Sequence, residues 1–256
     1  MFFDFSATER EFMGKLSILI PVYNESGIIE RVIDRVVCAE LPSGLEREVV
    51  IVDDASTDSS WGVILRICER YANESGCVVR CFRLDKNCGK GSAIRFAIGE
   101  ATGDFIIFQD ADLEYDPSDY CRLLSPLVGG FADVVYGSRF LSGEVSDGVR
   151  SKNIFAHHKF GNRLLTFLSN FLTGLKLTDM ETCYKCFRAD VLKSIELRSN
   201  RFEIEPEITV KIAQKHLRVC EVPISFVGRG FSEGKKIRWY DGFIAIWTIF
   251  RFTFFK

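Results

Sequence analysis

The segment FIIFQDADLEYDP, residues 105–117, decides the fold. Its first four residues form an unbroken apolar run, which reads as a strand buried on both faces. Such strands belong to parallel sheets covered by helices. The run stops at an acidic loop, and Pro117 stands where a first-turn proline opens a helix, here to about residue 127. Strand, polar loop and helix make one α/β unit. The same unit repeats toward the N-terminus. Residues 16–22, 48–52 and 78–82 read as strands. Helices are expected over 28–38, from Ser59 or Ser60 with Trp61, Ile64, Leu65 and Cys68 on one face, and over 92–100. Residues 134–136 make a fifth strand. The pattern predicts a mainly parallel sheet with helices on both faces, and such sheets bind ligands beyond the carboxyl ends of their strands.

The C-terminal part differs in character. Phe160, Leu164, Leu165, Phe167, Leu168, Phe171 and Leu172 give an amphipathic helix. Residues 206–214 read as a helix, 218–227 as a strand and 240–254 as a Phe-rich helix. Charge is split the same way. Residues 1–149 carry 14 basic and 25 acidic side chains, 150–176 five basic and no acidic ones, and 228–256 six basic and two acidic ones. Basic residues interleaved with aromatics fit a surface that meets an anionic membrane or a phosphate. Nucleic acid is excluded by a pI near 6.0 and by the lack of any recognition motif. The start, MFFDFSATEREF, does not read as a secretory signal, and no apolar run reaches the length of a membrane span. Nine cysteines without a framework point to a reducing compartment, with Cys183 and Cys186 incidental thiols.

Chemistry-bearing residues gather at the strand ends. Tyr23 and Glu25 follow the first strand, the one able to stack on a base and the other to accept from a base or ribose. Asp53 and Asp54 follow the second, where Asp53, Ser56 and Asp58 build a turn and Asp54 is the functional carboxylate. After the third come Gly89, Lys90 and Gly91 at a helix start, a place that favours anions. The spacing matches neither a dinucleotide fingerprint nor a P-loop. After the fourth come Asp110, Ala111, Asp112 and Glu114. Alternate carboxylates on a short loop can point one way, and their oxygens suit Mg²⁺ or Mn²⁺.

Together these motifs resemble the family 2 glycosyltransferases of the GT-A fold, and among them the dolichyl- and polyprenyl-phosphate sugar synthases. The resemblance runs from about residue 16 to about 246, through PVYNE (21–25), VDDAST (52–57), GKGSA (89–93), DAD (110–112), GSR (137–139), TDMETCYKCF (178–187) and RGFSEGKK (229–236). It implies that Pro21, Tyr23, Glu25, Val52 and Asp54 line the nucleotide pocket. Asp110, Ala111 and Asp112 match the acidic loop, with Asp112 the principal ligand of Mg²⁺ or Mn²⁺ and Glu114 a second one. Arg139 is expected at the phosphates, and Arg229 and Lys235 are expected to close over them.

The implied reaction moves a sugar, with inversion, from a UDP- or GDP-linked donor to a polyprenyl phosphate. The developing charge on the leaving diphosphate would be stabilised by the metal and these cations. With a hydroxyl acceptor, the family pattern puts a carboxylate base near Asp179 and Glu181, and Asp179 is the choice. A non-catalytic sugar-nucleotide-binding scaffold is the rival from another class. The resemblance further implies one domain over 1–256, with a nucleotide-sugar half (1–149) and an acceptor- and membrane-facing half (150–256). Peripheral association with the cytoplasmic face of a membrane is expected, alone, as a homo-oligomer or with a membrane partner.

Overall fold

The computed structural model describes residues 14–72, 76–141, 151–152, 156–228 and 239–255. The strands are β1 (Gly14–Val22), β2 (Leu45–Asp53), β3 (Cys77–Arg83), β4 (Phe105–Phe108), β5 (Val134–Ser138), β6 (Ser151–Lys152), β7 (Lys185–Arg188), β8 (Val219–Pro223) and β9 (Phe226–Val227). The helices are α1 (Ile29–Cys38), α2 (Ser60–Tyr71), α3 (Lys90–Glu100), α4 (Tyr120–Val128), α5 (Ala156–Thr173), α6 (Ala189–Lys193), α7 (Ile204–Gln214) and α8 (Trp239–Phe254). A turn of 3₁₀ helix at Pro117–Asp119 leads into α4, and Asp116 caps it by accepting the Ser118 N–H at 3.0 Å.

Seven strands form one sheet in the order β3-β2-β1-β4-β7-β5-β8. Every pairing is parallel except those of β7, which runs antiparallel to both β4 and β5. The start of β7 therefore lies at the edge where the parallel strands end. β6 and β9 pair separately. The apolar runs explain the burial. Leu16, Ile18, Leu19 and Ile20 of β1, Val49 to Val52 of β2 and Ile106 to Phe108 of β4 are fully buried in one core.

Two expectations need correction. The buried face of α2 is Val63, Ile64 and Ile67, while Leu65 is 41% exposed. The helix begins at Ser60, capped by Asp58 rather than by Ser59, and that start sets the phase of the buried stripe. Hydrogen bonds to Ser60 and Ser26 outweigh partial burial and hold the Asp58 carboxyl down at about 2. The strand expected over 218–227 is broken after Pro223, because Ile224 turns into the core before β9 begins. Helix α5 forms as expected and divides its apolar residues: Phe160, Leu164, Phe167 and Phe171 face outward, while Leu165, Leu168 and Leu172 pack half-buried against the core beside the buried Asn162, Thr166 and Ser169.

One buried polar cluster ties the lower edge of the sheet together. Glu48, on β2, accepts the Ser17 hydroxyl and both the N–H (2.8 Å) and hydroxyl (2.9 Å) of Thr102. Ser17 in turn accepts the Gly103 N–H at 2.8 Å. Burial alone would raise the Glu48 carboxyl, but these donors, with Arg80, hold it below its usual range. A carboxyl depressed in the folded state stabilises above its unfolded pKa of 4.5 and stops doing so as pH falls through the folded value. Glu48→Gln is expected to lower unfolding free energy by about 1–3 kcal/mol at neutral pH, with the gap closing below the unfolded value. Urea titrations across pH measure it; a gap independent of pH would contradict the assignment.

Candidate active site

The carboxyl ends of β1 and β2 are laced together before any ligand is considered. The Asn24 N–H bonds the Ser56 hydroxyl at 2.9 Å, the Asn24 side-chain carbonyl accepts the Thr57 N–H at 2.8 Å, and the Glu25 N–H bonds the Ser60 hydroxyl at 2.8 Å. Two of these loop residues sit in the left-handed region, Asn24 at φ 52° and Ala55 at φ 54°. Asn tolerates that region, but in Ala it costs on the order of 1–2 kcal/mol. This lacing holds Tyr23 and Glu25, both half-buried, at the mouth of the sheet. Pro21 is half-buried in β1. Val52 is fully buried in β2, so any contact it makes with a ligand is through its backbone.

Asp53 and Asp54 part company. Asp53 caps the turn at the Ser56 N–H (3.1 Å) and pairs with Arg83 at 3.2 Å. Asp54, expected at the nucleotide, is 3% exposed, and its two oxygens accept the Cys88 and Gly89 N–H groups at 2.8 and 2.7 Å. Burial, and then the neighbouring Asp53 charge, push its carboxyl up against those donors. Its observed work is to fix the glycine loop. That loop needs glycine for a steric reason. A Cβ on Gly89 (φ 98°) would stand 2.6 Å from the Asn200 carbonyl oxygen, and one on Gly91 2.7 Å from that of Ser199.

Lys90, expected to favour an anion from its place at a helix start, is already matched by two carboxylates. Its ammonium is paired inward with Asp110 at 2.8 Å and Glu205 of α7 at 3.0 Å. Burial opposes the charge, but those carboxylates keep the Lys90 pKa well above the usual value, and Lys90 in turn holds the Asp110 carboxyl low against its own burial. Glu205 also pairs with Lys185, whose ammonium bonds the Thr182 carbonyl. Two cations and two carboxylates thus form a neutral network beneath the acidic loop, with Lys185 and Glu205 buried and Lys90 and Asp110 partly so.

The network corrects the picture of three carboxylates aimed one way. Asp110 is turned to Lys90, and no cluster of three metal-ligating side chains occurs among the described residues. Asp112 (8% exposed) and the half-buried Glu114 remain at the loop, the Glu114 N–H donating to the Asp112 carboxylate at 3.0 Å. Ala111, between Asp110 and Asp112, is buried. An oxygen-only pair of this kind fits a hard divalent cation such as Mg²⁺, which takes one or two carboxylates and completes its shell with phosphate oxygens and water. The Val227 N–H bonds the Glu114 carbonyl at 2.8 Å, so the chain around residue 228 reaches the same loop. Arg229 and Lys235 lie outside the described residues. A cavity of about 560 Å³ opens beside the loop, between Glu25, Arg31, Asp58, Leu113 and Gly228.

Arg139, just past β5, is gripped by Asp179. Its Nε and Nη2 donate to the two Asp179 oxygens at 2.7 Å each, and its backbone N–H adds a third bond at 3.0 Å. Asn162 of α5 supplies a fourth donor at 3.0 Å. Asp179 is fully buried, so it is a clamp on Arg139 rather than a base open to a hydroxyl. The Arg139 guanidinium lies 5.1 Å from the Phe226 ring centroid and 5.6 Å from that of Phe140. Three positions, Lys185, Glu205 and Asn162, escape sequence reasoning. Glu205, in IEPEITVK, reads as an ordinary charged residue of a helix, and only its burial betrays it.

Comparison with known proteins follows the same stretch. The sequence profile of glycosyl transferase family 2 matches residues 17–196. A dolichol-phosphate mannosyltransferase of Pyrococcus furiosus is 30% identical over 224 residues, covering 86% of this chain and 59% of that protein. An undecaprenyl-phosphate 4-deoxy-4-formamido-L-arabinose transferase of Enterobacter is 29% identical, covering 89% and 64%. A dodecaprenyl-phosphate galacturonate synthase of Rhizobium johnstonii is 28% identical, covering 75% and 53%. The chain thus spans between about half and two thirds of the length of these relatives. Among solved structures, glucosyl-3-phosphoglycerate synthase of Mycobacterium tuberculosis, crystallised with Mn²⁺, UDP and phosphoglyceric acid, superposes with a TM-score of 0.67 at 17% identity, covering 95% of this chain and 80% of that one. Likeness at that identity speaks for the fold alone, which is GT-A. With the profile covering most of the chain and a relative at 30% identity across 86% of it, this chain belongs to glycosyl transferase family 2.

Proposed function

We propose that this chain is an inverting glycosyltransferase that moves a sugar from a nucleoside-diphosphate donor, UDP- or GDP-linked, to a polyprenyl phosphate. The observation that carries this reading is the pairing of two strand ends. The acidic loop with Asp112 follows β4 and the clamped Arg139 follows β5, with only β7 between them in the sheet. Two strand spacings amount to about 10 Å, a gap a diphosphate and its sugar can bridge. The polyprenyl-phosphate acceptors named for the relatives support the second half of the reading.

In this mechanism Tyr23, Glu25 and the backbone at Pro21 and Val52 receive the nucleoside. Asp112 and Glu114 would hold a divalent cation, Mg²⁺ or Mn²⁺, whose charge would neutralise that of the leaving diphosphate. Arg139, oriented in advance by Asp179, faces the same developing charge and needs no reorganisation to do so. Arg229 and Lys235 would add their charge from the segment that follows residue 228. A phosphate acceptor is already anionic at neutral pH, so it requires alignment and no general base. That agrees with Asp179 being committed to Arg139.

The surface suits a lipid-borne acceptor. Phe160, Leu164, Phe167 and Phe171 of α5 and Phe243, Trp247 and Phe254 of α8 are all exposed by more than half on two helices that pack together. Lys159, Arg163 and Arg251 are exposed on the same helices. No helix among the described residues is long and apolar enough to cross a membrane. Exposed aromatics flanked by cations fit a face that lies in an anionic interface, here the cytoplasmic one, with residues 1–149 serving the donor and 150–256 the acceptor.

Asp112→Asn is expected to lower transfer to polyprenyl phosphate by about a hundredfold or more with an unchanged melting temperature. Turnover near wild type would refute the metal assignment. Binding to anionic vesicles is expected to weaken with salt, and to drop about tenfold in the Phe167→Ser/Phe171→Ser double variant. Sedimentation with vesicles measures both, and equal binding by the two proteins would move the lipid contact elsewhere.

A further inference from the structure

Glu181 is an acid of the site with a buried carboxyl oxygen left over. It stands midway along a short loop tied down on both sides. Asp179, two residues before it, is locked to Arg139 at the end of β5. Cys183, two residues after it, donates its N–H to the Tyr115 hydroxyl at 3.0 Å, and Tyr115 belongs to the segment that follows the acidic loop. The loop thereby bridges the ends of β4 and β5, where donor and acceptor must meet. One carboxyl oxygen of Glu181 is buried and has no hydrogen-bond partner. A buried oxygen in that state is costly unless something polar comes to it.

The charges around it say what that something is. Arg139 faces Asp179, Lys185 faces Glu205, and Lys90 faces Asp110 and Glu205. The neighbouring cations are therefore balanced, and the acids Glu205 and Asp179 also act on Glu181. Burial first, then Glu205, push its carboxyl up to about 7, against the pull of Lys185 and Arg139. An anion would meet repulsion here. A neutral group that can both donate and accept would not, and in either protonation state the carboxyl offers it a bond. Neutral hydroxyls are abundant on the sugar of a nucleotide-sugar donor, whereas its diphosphate and a phosphate acceptor are anionic.

We propose that Glu181 binds a hydroxyl of the transferred sugar and so takes part in choosing which sugar is moved. This rests on the donor assignment made above. Calorimetry with Mn²⁺ tests it, comparing UDP with UDP-glucose and UDP-galactose, and GDP with GDP-mannose. In Glu181→Ala the sugar nucleotide that wild type binds is expected to weaken about tenfold, while its nucleoside diphosphate changes less than twofold. Glu181→Gln, which keeps both hydrogen-bonding faces, should recover most of the loss. Equal weakening of sugar nucleotide and diphosphate in Glu181→Ala, or no weakening of either, overturns this inference and leaves the donor assignment standing. A wild-type protein that binds none of these compounds overturns the donor assignment and this inference with it.

Discussion

The buried carboxylate of Glu205 is the constraint on which the site depends. It comes from α7 and meets two ammonium groups, Lys90 from the start of α3 and Lys185 from the start of β7. Lys90 then fixes Asp110, the first residue of the acidic loop. Lys185 and Glu205 are buried and Lys90 and Asp110 partly so, and taking charges out of water is offset only when their partners are present and bonded. The arrangement thus joins three separate segments at one point beneath the acidic loop. The glycine loop is fitted to the same ground by Asp54, which binds two of its amides, and by the close approach of Gly89 and Gly91 to residues 199–201.

The same helix links the interior to the surface. α7 packs against both α5 and α8, the helices that carry the exposed aromatics. The Gln214 side chain donates to the Phe252 carbonyl at 2.6 Å, and the Lys211 ammonium lies 4.5 Å from the Phe252 ring centroid. One rigid element therefore bears the carboxylate that organises the acidic loop and the contacts that seat the outer helices. Asn162 of α5 reaches the Asp179 clamp as well, so Arg139 depends on the same layer.

Much of this architecture is legible in the amino-acid sequence, for definite reasons. β1, β2 and β4 are long or wholly apolar, and their burial on both faces leaves a continuous signature. The acidic loop is recognisable because carboxylates at alternate positions after such a strand are rare. β7 is not legible, since KCFR is four residues long and is buried by its place between β4 and β5 rather than by its pattern. The direction of Lys90 is hidden too. Proximity in sequence to a helix start suggests an anion, but the partners that claim it, Asp110 and Glu205, come from residues 20 and 115 positions away. The burial of Asn162 and Thr166 on α5 is hidden for a related reason: the apolar periodicity of the helix is clear, but the partners that draw these two inside, Asp179 and the Met180 N–H, lie on another segment.

The central claim is that the Glu205 network sets the geometry of the acidic loop and, through it, donor binding. Glu205→Gln keeps the shape and removes the charge, leaving Lys185 buried without a carboxylate and Lys90 with Asp110 alone. The measurement is paired: urea unfolding, and calorimetric binding of the donor nucleotide with and without Mn²⁺. The account predicts a loss of about 3–5 kcal/mol in stability together with loss of the metal-dependent part of binding. Unchanged metal-dependent binding in a folded Glu205→Gln protein would contradict it.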